Sequence, residues 1–196
     1  MTQFQRLSLA LAGLLLAATG AMAATVDVGG VKLEDTTDVR GTTLQLNGAG
    51  VRYKAVFKVY AAGLYLNKKV STPDEVYATS GPKRMSITMT RDIDSNELGK
   101  AFTKGIEENT PKGEYSKLIP GILKMSQIFS DQKKMLAGEN ITIDWVPGTG
   151  MLVSVKGKPQ GDAIKEPEFY NAMLRSWLGP QPADWKLKDA LLGKAA

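Results

Sequence analysis

Leu44-Gln45-Leu46-Asn47-Gly48-Ala49-Gly50-Val51-Arg52-Tyr53-Lys54-Ala55-Val56-Phe57-Lys58-Val59-Tyr60-Ala61-Ala62-Gly63-Leu64-Tyr65-Leu66 is the stretch whose reading decides the fold. It reads as two β-strands. Side chains alternate faces along a strand, so Leu44, Leu46, Gly48, Gly50 and Arg52 share one face unless a bulge intervenes. A guanidinium on a core-facing position is costly unless an anion or several acceptors meet it. The second strand, Val56 to Leu66, is apolar on both parities, which places it centrally in a sheet covered on both faces. If the two strands pair as a hairpin centred on Val56, Arg52 and Tyr60 stand opposite each other on one face. The turn itself, Lys54 to Lys58, contains no Gly, Asn, Asp or Pro to fix that register. Two readings follow. Either Arg52 is structural, tied to carbonyls, with Tyr60 as a core aromatic; or the guanidinium and the phenol converge on a buried carboxylate or enolate.

Outward from this stretch, Val26, Val28, Val31 and Leu33 around Gly29-Gly30 predict a short hairpin, and Glu34 to Gly41 a polar connector. Ser71-Thr72-Pro73-Asp74-Glu75 starts a short helix. Met85, Ile87 and Met89 alternate with Arg84, Ser86 and Thr88 in a strand with one wet face. Asp94-Ser95-Asn96-Glu97 caps a helix carrying Leu98, Ala101, Phe102 and Ile106, which Asn109-Thr110-Pro111 ends. Tyr115 to Phe129 is a second amphipathic helix, in which Pro120-Gly121 predicts a kink or a late start. Ile141 to Trp145 and Met151 to Val155 are strands around Pro147-Gly148-Thr149-Gly150. Helices follow at Glu166 to Leu178 and around Trp185, Leu187 and Leu191. The sum is an α+β fold: an antiparallel sheet of about six strands with a layer of helices on one face.

Met1 to Ala23 has one basic residue, Arg6, then the apolar run Leu7 to Ala18, and closes on Ala21-Met22-Ala23. That is the pattern of a cleaved secretory signal, and the run is short for a membrane span. The expectation is a signal peptide over residues 1–23, a single domain over residues 24–196, a periplasmic or secreted address and no integral membrane segment after signal removal. The formal net charge is +5 over 196 residues, mild enough for solubility alone and no nucleic-acid signature. The chain has no cysteine and no histidine, which removes disulfides, thiol chemistry, Ser-His-Asp catalysis and the usual zinc sites.

Gly48-Ala49-Gly50 fails as a dinucleotide motif, because Tyr53 holds the third glycine position and the segment runs into a strand. The glycines instead suit a bulge or a close backbone approach. Asp92-x-Asp94-x-Asn96 fails as a calcium loop, with Glu97 at the sixth position and Thr103 at the twelfth, and reads as a helix cap. No cofactor and no metal is expected. Lys54, Lys58, Lys68 and Lys69 form either a solvated edge or a phosphate or headgroup patch. Phe102, Met125, Phe129, Phe169, Met173 and Trp177 are either ordinary core or the lining of an apolar cavity.

Gly48-Ala49-Gly50-Val51-Arg52, followed by Phe57-Lys58-Val59-Tyr60-Ala61-Ala62-Gly63-Leu64-Tyr65-Leu66, resembles the chalcone isomerase family, in particular its bacterial secreted branch and the plant fatty-acid-binding proteins of that fold. The resemblance continues in Thr90-Arg91-Asp92-Ile93, Ala101-Phe102-x-x-Gly105-Ile106, Phe169-Tyr170-Asn171-Ala172, Trp177-Leu178-Gly179 and Leu187-Lys188-x-Ala190-Leu191-Leu192-Gly193. It implies an antiparallel sheet, a helix layer on one face and a cleft between them. Plant chalcone isomerases close a chalcone to a flavanone with an arginine that attracts the substrate oxyanion, and the resemblance puts that arginine at Arg52. Those enzymes carry a threonine where this chain has Tyr60, and a tyrosine and an asparagine on the helix that here bears Leu98 and Gly105. Their link corresponding to Arg52–Phe57 is also longer. The fatty-acid-binding relatives pair an arginine and a tyrosine on a carboxylate, which Arg52 and Tyr60 would reproduce.

The expectation is therefore a secreted, non-catalytic binder of a small apolar carboxylate such as a fatty acid, with Arg52 and Tyr60 as the ligand-binding residues and no catalytic residue. The alternatives are an isomerase or lyase using Arg52 as electrophile, and an interaction module without a pocket.

Overall fold

A computed structural model of the chain describes residues 24–194; the leader reading of Met1 to Ala23 lies outside the described residues. The chain opens with β1 (Thr25–Val28) and β2 (Val31–Glu34), a separate hairpin. It continues through β3 (Thr36–Val39), β4 (Thr42–Lys54) and β5 (Phe57–Leu66), then α1 (Pro73–Ala78) and β6 (Lys83–Met89). The short β7 (Ile93–Asp94) leads into α2 (Ser95–Glu108) and α3 (Lys112–Gln132), and β8 (Lys134–Met135) closes a small ladder with β7. Last come β9 (Asn140–Val146), β10 (Gly150–Val155), β11 (Lys158–Ile164), α4 (Pro167–Leu178) and α5 (Trp185–Leu191). Seven strands form one antiparallel sheet in the order β11-β10-β9-β6-β5-β4-β3. The expected α+β layering is therefore present, with two main-sheet strands, β3 and β11, that the pattern does not predict, while the predicted N-terminal hairpin stands outside the main sheet.

β11, with Ile164 its one buried residue, lies where Gly157 to Gly161 reads as a turn, and β3 lies inside the stretch that reads as a polar connector. Both are edge strands, and edge strands need little apolar content. In β3 Val39 alone is buried, against Leu44 and Leu46, while Asp38 and the turn residues Arg40 and Gly41 are polar. Arg40 and Gly41 both have positive φ, 53° and 80°, the geometry of a two-residue hairpin turn. A single apolar anchor gives no alternation to detect. The predicted caps hold. Thr72 and Glu75 form a capping box at α1, and the Asp94 carboxylate accepts from the Asn96 and Glu97 backbone N–H groups at α2. The α3 helix starts at Lys112 and continues through Pro120, so there is no late start. Gly121 serves packing: a Cβ there would lie 2.4 Å from the Phe169 ring.

Two bulges in the β4–β5 ladder decide what faces what. The first lies between Leu46, paired with Tyr65, and Gly48, paired with Leu64; Asn47 is the extra residue. It flips the alternation. Leu44 and Leu46 pack with Val39, Tyr65 and Val146 on the outer face, whereas Gly48, Gly50 and Arg52 turn to the helix-covered face. Arg52 therefore does not share a face with the two leucines, as uninterrupted alternation would have it. Asn47 is buried and fully used: its Nδ2 donates to the Leu191 carbonyl at 2.8 Å, and its Oδ1 accepts from the Val70 N–H at 2.7 Å. The second bulge inserts Val59 opposite the Arg52–Tyr53 step, and Val59 joins the helix-side core rather than the face of Ala61.

The helix-side core is continuous. Tyr60, Ala62 and Leu64 of β5, Met85, Ile87 and Met89 of β6, and Ile141 and Ile143 of β9 meet α2, α3 and α4. The strand β5 is buried without interruption from Val59 to Leu66, as a central strand should be. At the other end of the layer α5 lies directly on β4, because the strand there lacks side chains. A Cβ on Gly48 would meet the Ala190 carbonyl oxygen at 2.1 Å, and one on Gly50 would meet the Ala190 Cβ at 2.7 Å. On the outer face the cross-strand partners Arg84 and Asp144 form a two-pronged ion pair at 2.7 and 2.6 Å, to which Thr37 adds an acceptor at 2.6 Å.

Gly48→Ala forces α5 off the sheet against backbone atoms that have no room to yield. Urea denaturation should show a loss of about 1–3 kcal/mol or more. A midpoint unchanged from wild type would mean that α5 is not held by this contact.

Candidate functional site

Arg52 and Tyr60 are directly opposite in the ladder, as expected, although the turn is at Ala55-Val56 and Val59 supplies the missing residue of register. The Arg52 guanidinium carbon lies 5.6 Å from the centre of the Tyr60 ring. No hydrogen bond to Arg52 stabilises it among the described residues: its Nε is buried without a partner, and no carboxylate stands within ion-pair distance. No carbonyl among the described residues accepts a hydrogen bond from this half-buried arginine, whose one close partner is the Tyr60 ring.

Tyr60 is buried, and its hydroxyl oxygen accepts a hydrogen bond from Trp177 Nε1 at 2.7 Å. An indole N–H only donates, so this bond leaves the phenolic hydrogen of Tyr60 available for another acceptor. Burial pushes the Tyr60 phenol above its ordinary pKa, against the opposing pull of the Arg52 charge and the Trp177 hydrogen bond. At neutral pH the group is therefore a neutral donor. The bottom of the constellation is hydrophobic sheet and the top is helix, and neither fills the space between.

That space is a cavity of about 240 Å³. Ile87, Ile141 and Ile143 form its sheet side; Leu98, Ala101, Phe102 and Gly105 of α2, Phe129 of α3, and Ser176 and Trp177 of α4 form its helix side, with the ion pair of Lys104 and Glu108 on α2 also lining it. Gln181, Pro182 and Ala183 border it after α4. Of the aromatic and methionine positions that left core and cavity open, Phe102, Phe129 and Trp177 line the cavity, while Met125, Phe169 and Met173 are core. Leu98 and Gly105 both line it, and Gly105 has no room for a side chain: a Cβ there would lie 2.8 Å from Ser176.

The sequence reading does not find Ser176. Its hydroxyl is buried, has no hydrogen-bond partner among the described residues and borders the cavity. The available sign was a serine within the buried face of α4, next to Trp177, where an apolar residue would pack as well. Arg52, Tyr60 and Ser176 thus line one cavity, and Arg52 Nε and Ser176 Oγ are buried without a hydrogen-bond partner among the described residues. The four lysines do not gather into one patch. Lys54 and Lys58 lie at one end of β5 and Lys68 and Lys69 at the other, with Lys58 donating to the Gly29 carbonyl and Lys69 to those of Leu46 and Asn47. Asp92 accepts from the Ala137 N–H and pairs with Lys134, a use unrelated to a calcium loop.

No helix among the described residues is long and apolar enough to cross a membrane. A search of curated proteins finds no match. Among solved structures, the chain is similar to a fatty-acid-binding protein of Arabidopsis thaliana, with a TM-score of 0.68 and 17% sequence identity over 86% of this chain and 96% of that one. At that identity the likeness establishes the fold. The family described as chalcone isomerase-like matches residues 24–193, essentially all of the described chain and every element that builds the cavity, and the protein belongs to that family.

Proposed function

We propose that the protein binds a small apolar carboxylate, a fatty acid, in the cavity beside Arg52 without transforming it. The observation that carries this reading is the guanidinium of Arg52, which has no hydrogen-bond or ion-pair partner among the described residues, at the edge of a largely apolar cavity. A carboxylate placed there would accept charge-assisted hydrogen bonds from Arg52 and a further one from the Tyr60 hydroxyl, whose oxygen Trp177 already holds in place. Ser176 Oγ would give or take a third contact. The acyl tail would lie among Ile87, Ile141, Ile143, Phe102 and Phe129. At about 240 Å³ the cavity is just below the usual ~300–1,000 Å³ of small-molecule sites, which suits a short or medium acyl chain. The similar Arabidopsis protein, itself a fatty-acid-binding protein, supports the ligand class.

An isomerase needs a proton carrier near the electrophile. Tyr60 is the candidate at hand, and its raised pKa makes it a poor base at neutral pH. The positions corresponding to the polar network of the plant enzymes hold Leu98 and Gly105, and neither can orient a reacting phenol. We place the protein in the periplasm or outside the cell, on the basis of the leader pattern in Met1 to Ala23.

Native mass spectrometry of the purified protein should show a bound acyl carboxylate. Arg52→Ala should weaken its binding about 10- to 100-fold, the equivalent of one charge-assisted interaction. An unchanged acyl load in that variant would sink the clamp. Tyr60→Phe keeps the ring and loses the donor, so it should cost about 2- to 10-fold in affinity by titration calorimetry with a medium-chain fatty acid. If Tyr60→Phe binds as wild type does, the phenol is not a ligand contact. With a chalcone as substrate, turnover should not exceed that of Arg52→Ala; turnover above it would favour the isomerase.

A further inference from the structure

The exposed end of the β4–β5 hairpin is apolar where turn chemistry is expected. Val56 is 81% and Phe57 60% exposed, and Tyr53 is exposed beside them. Two-residue hairpin turns favour Asn, Asp and Gly, whereas here Ala55 takes the positive φ of 54° and Val56 follows it. Neither Val56 nor Phe57 belongs to the hydrophobic core. Trp185, 59% exposed, stands at the same end, since Asp184 next to it accepts from the Tyr53 backbone N–H at 3.0 Å.

Exposed cations surround these side chains. Lys54 and Lys58 flank the tip, Lys186 follows Trp185, and the Arg91 guanidinium lies 5.5 Å from the centre of the Phe57 ring. Most acids of this end are held by hydrogen bonds, but among the described residues only Asp92 is paired with a cation, and the others keep their charge. Asp184 accepts from the backbone of Tyr53, Lys186 and Leu187; Asp94 caps α2; Asp92 pairs with Lys134; and Asp27 accepts from Gly30. Glu97 has no side-chain partner among the described residues. Apolar and aromatic side chains at the apex with a basic collar are complementary to a surface that is negative outside and apolar beneath.

We propose that the β4–β5 tip docks on an anionic lipid bilayer, with Val56 and Phe57 entering the headgroup region, Tyr53 and Trp185 at its level, and Lys54, Lys58, Arg91 and Lys186 on the lipid phosphates. A second copy of the chain is a poorer occupant. A second copy would bring the same basic collar of Lys54, Lys58, Arg91 and Lys186 against its like. The position of the tip gives docking a consequence. A groove lined by Lys54 and Arg91 and by the carboxylates of Asp92, Asp94 and Glu97 runs to Arg52, Leu98 and Ala101, and the last three also line the cavity. If the cavity holds an acyl carboxylate, as proposed above, the groove is the route by which the ligand would pass between bilayer and cavity. The docking itself does not depend on that reading.

Co-sedimentation with vesicles tests it. The purified protein should partition onto phosphatidylglycerol vesicles and not onto phosphatidylcholine vesicles, and added salt should weaken the binding. The double variant Val56→Asp, Phe57→Asp should lower the partition coefficient about tenfold or more, with an unchanged circular dichroism spectrum, because both residues lie outside the core. Lys54→Glu combined with Lys186→Glu should lower it severalfold and flatten the salt dependence. Phe57→Trp should show a blue-shifted emission on phosphatidylglycerol vesicles. Equal binding to both vesicle types, binding indifferent to the tip variants, or a tip-dependent dimer in sedimentation velocity without vesicle binding would each overturn the proposal. Arg52→Ala should empty the cavity and leave vesicle binding intact, so failure of the cavity reading and failure of the docking reading show up in different measurements.

Discussion

One inserted residue governs the architecture. Asn47 adds a place to β4, and every side chain after it changes faces relative to the run before it. With uninterrupted alternation Leu44, Leu46, Gly48, Gly50 and Arg52 would share one face, so the leucines could not face outward while Arg52 faces the helices. The bulge is held by two hydrogen bonds from one buried amide, which ties α5 and the segment before α1 to the strand. The glycines that follow let α5 settle on the backbone. Arg52, next on the same face, emerges where that helix ends and the cavity begins.

From this placement the electrostatics of the site follow. A guanidinium beside a largely apolar cavity, with no carboxylate among the described residues at ion-pair distance, has hydrogen-bonding capacity to spare. Trp177 completes Tyr60 in one sense only: it occupies the oxygen and leaves the hydrogen unspent. Ser176, one residue earlier on α4, adds a hydroxyl with unmet capacity. Gly105 makes room for that hydroxyl, so the α2 position that lacks a side chain and the α4 position that carries a polar one are two halves of a single packing solution.

Much of this was legible in the residues. The central strand showed in the double-parity run of Val56 to Leu66, the caps in Thr72, Glu75 and Asp94, and the close approach in Gly48 and Gly50. The facing of Arg52 and Tyr60 was also foreseen, but from a hairpin centre half a residue away from the real one, with Val59 making up the difference. Bulges escape a pattern reading because their cause is remote: Asn47 is bulged against Leu191, not against anything near it in sequence. Strand β3 escaped because one buried valine has no period, and Ser176 because a small hydroxyl within an apolar face looks like filler until the cavity beside it is seen.

The bond between Asn47 and Leu191 spans 144 residues. That distance has a kinetic meaning. Contacts so far apart in sequence reward the chain only after the intervening sheet and helices have closed the loop between them. A seven-residue helix such as α5 has little stability of its own, so it docks onto a β4 surface that is already assembled. The wall that sets Arg52 at the cavity edge is thus among the last parts of the molecule to form, and on local opening among the first to leave.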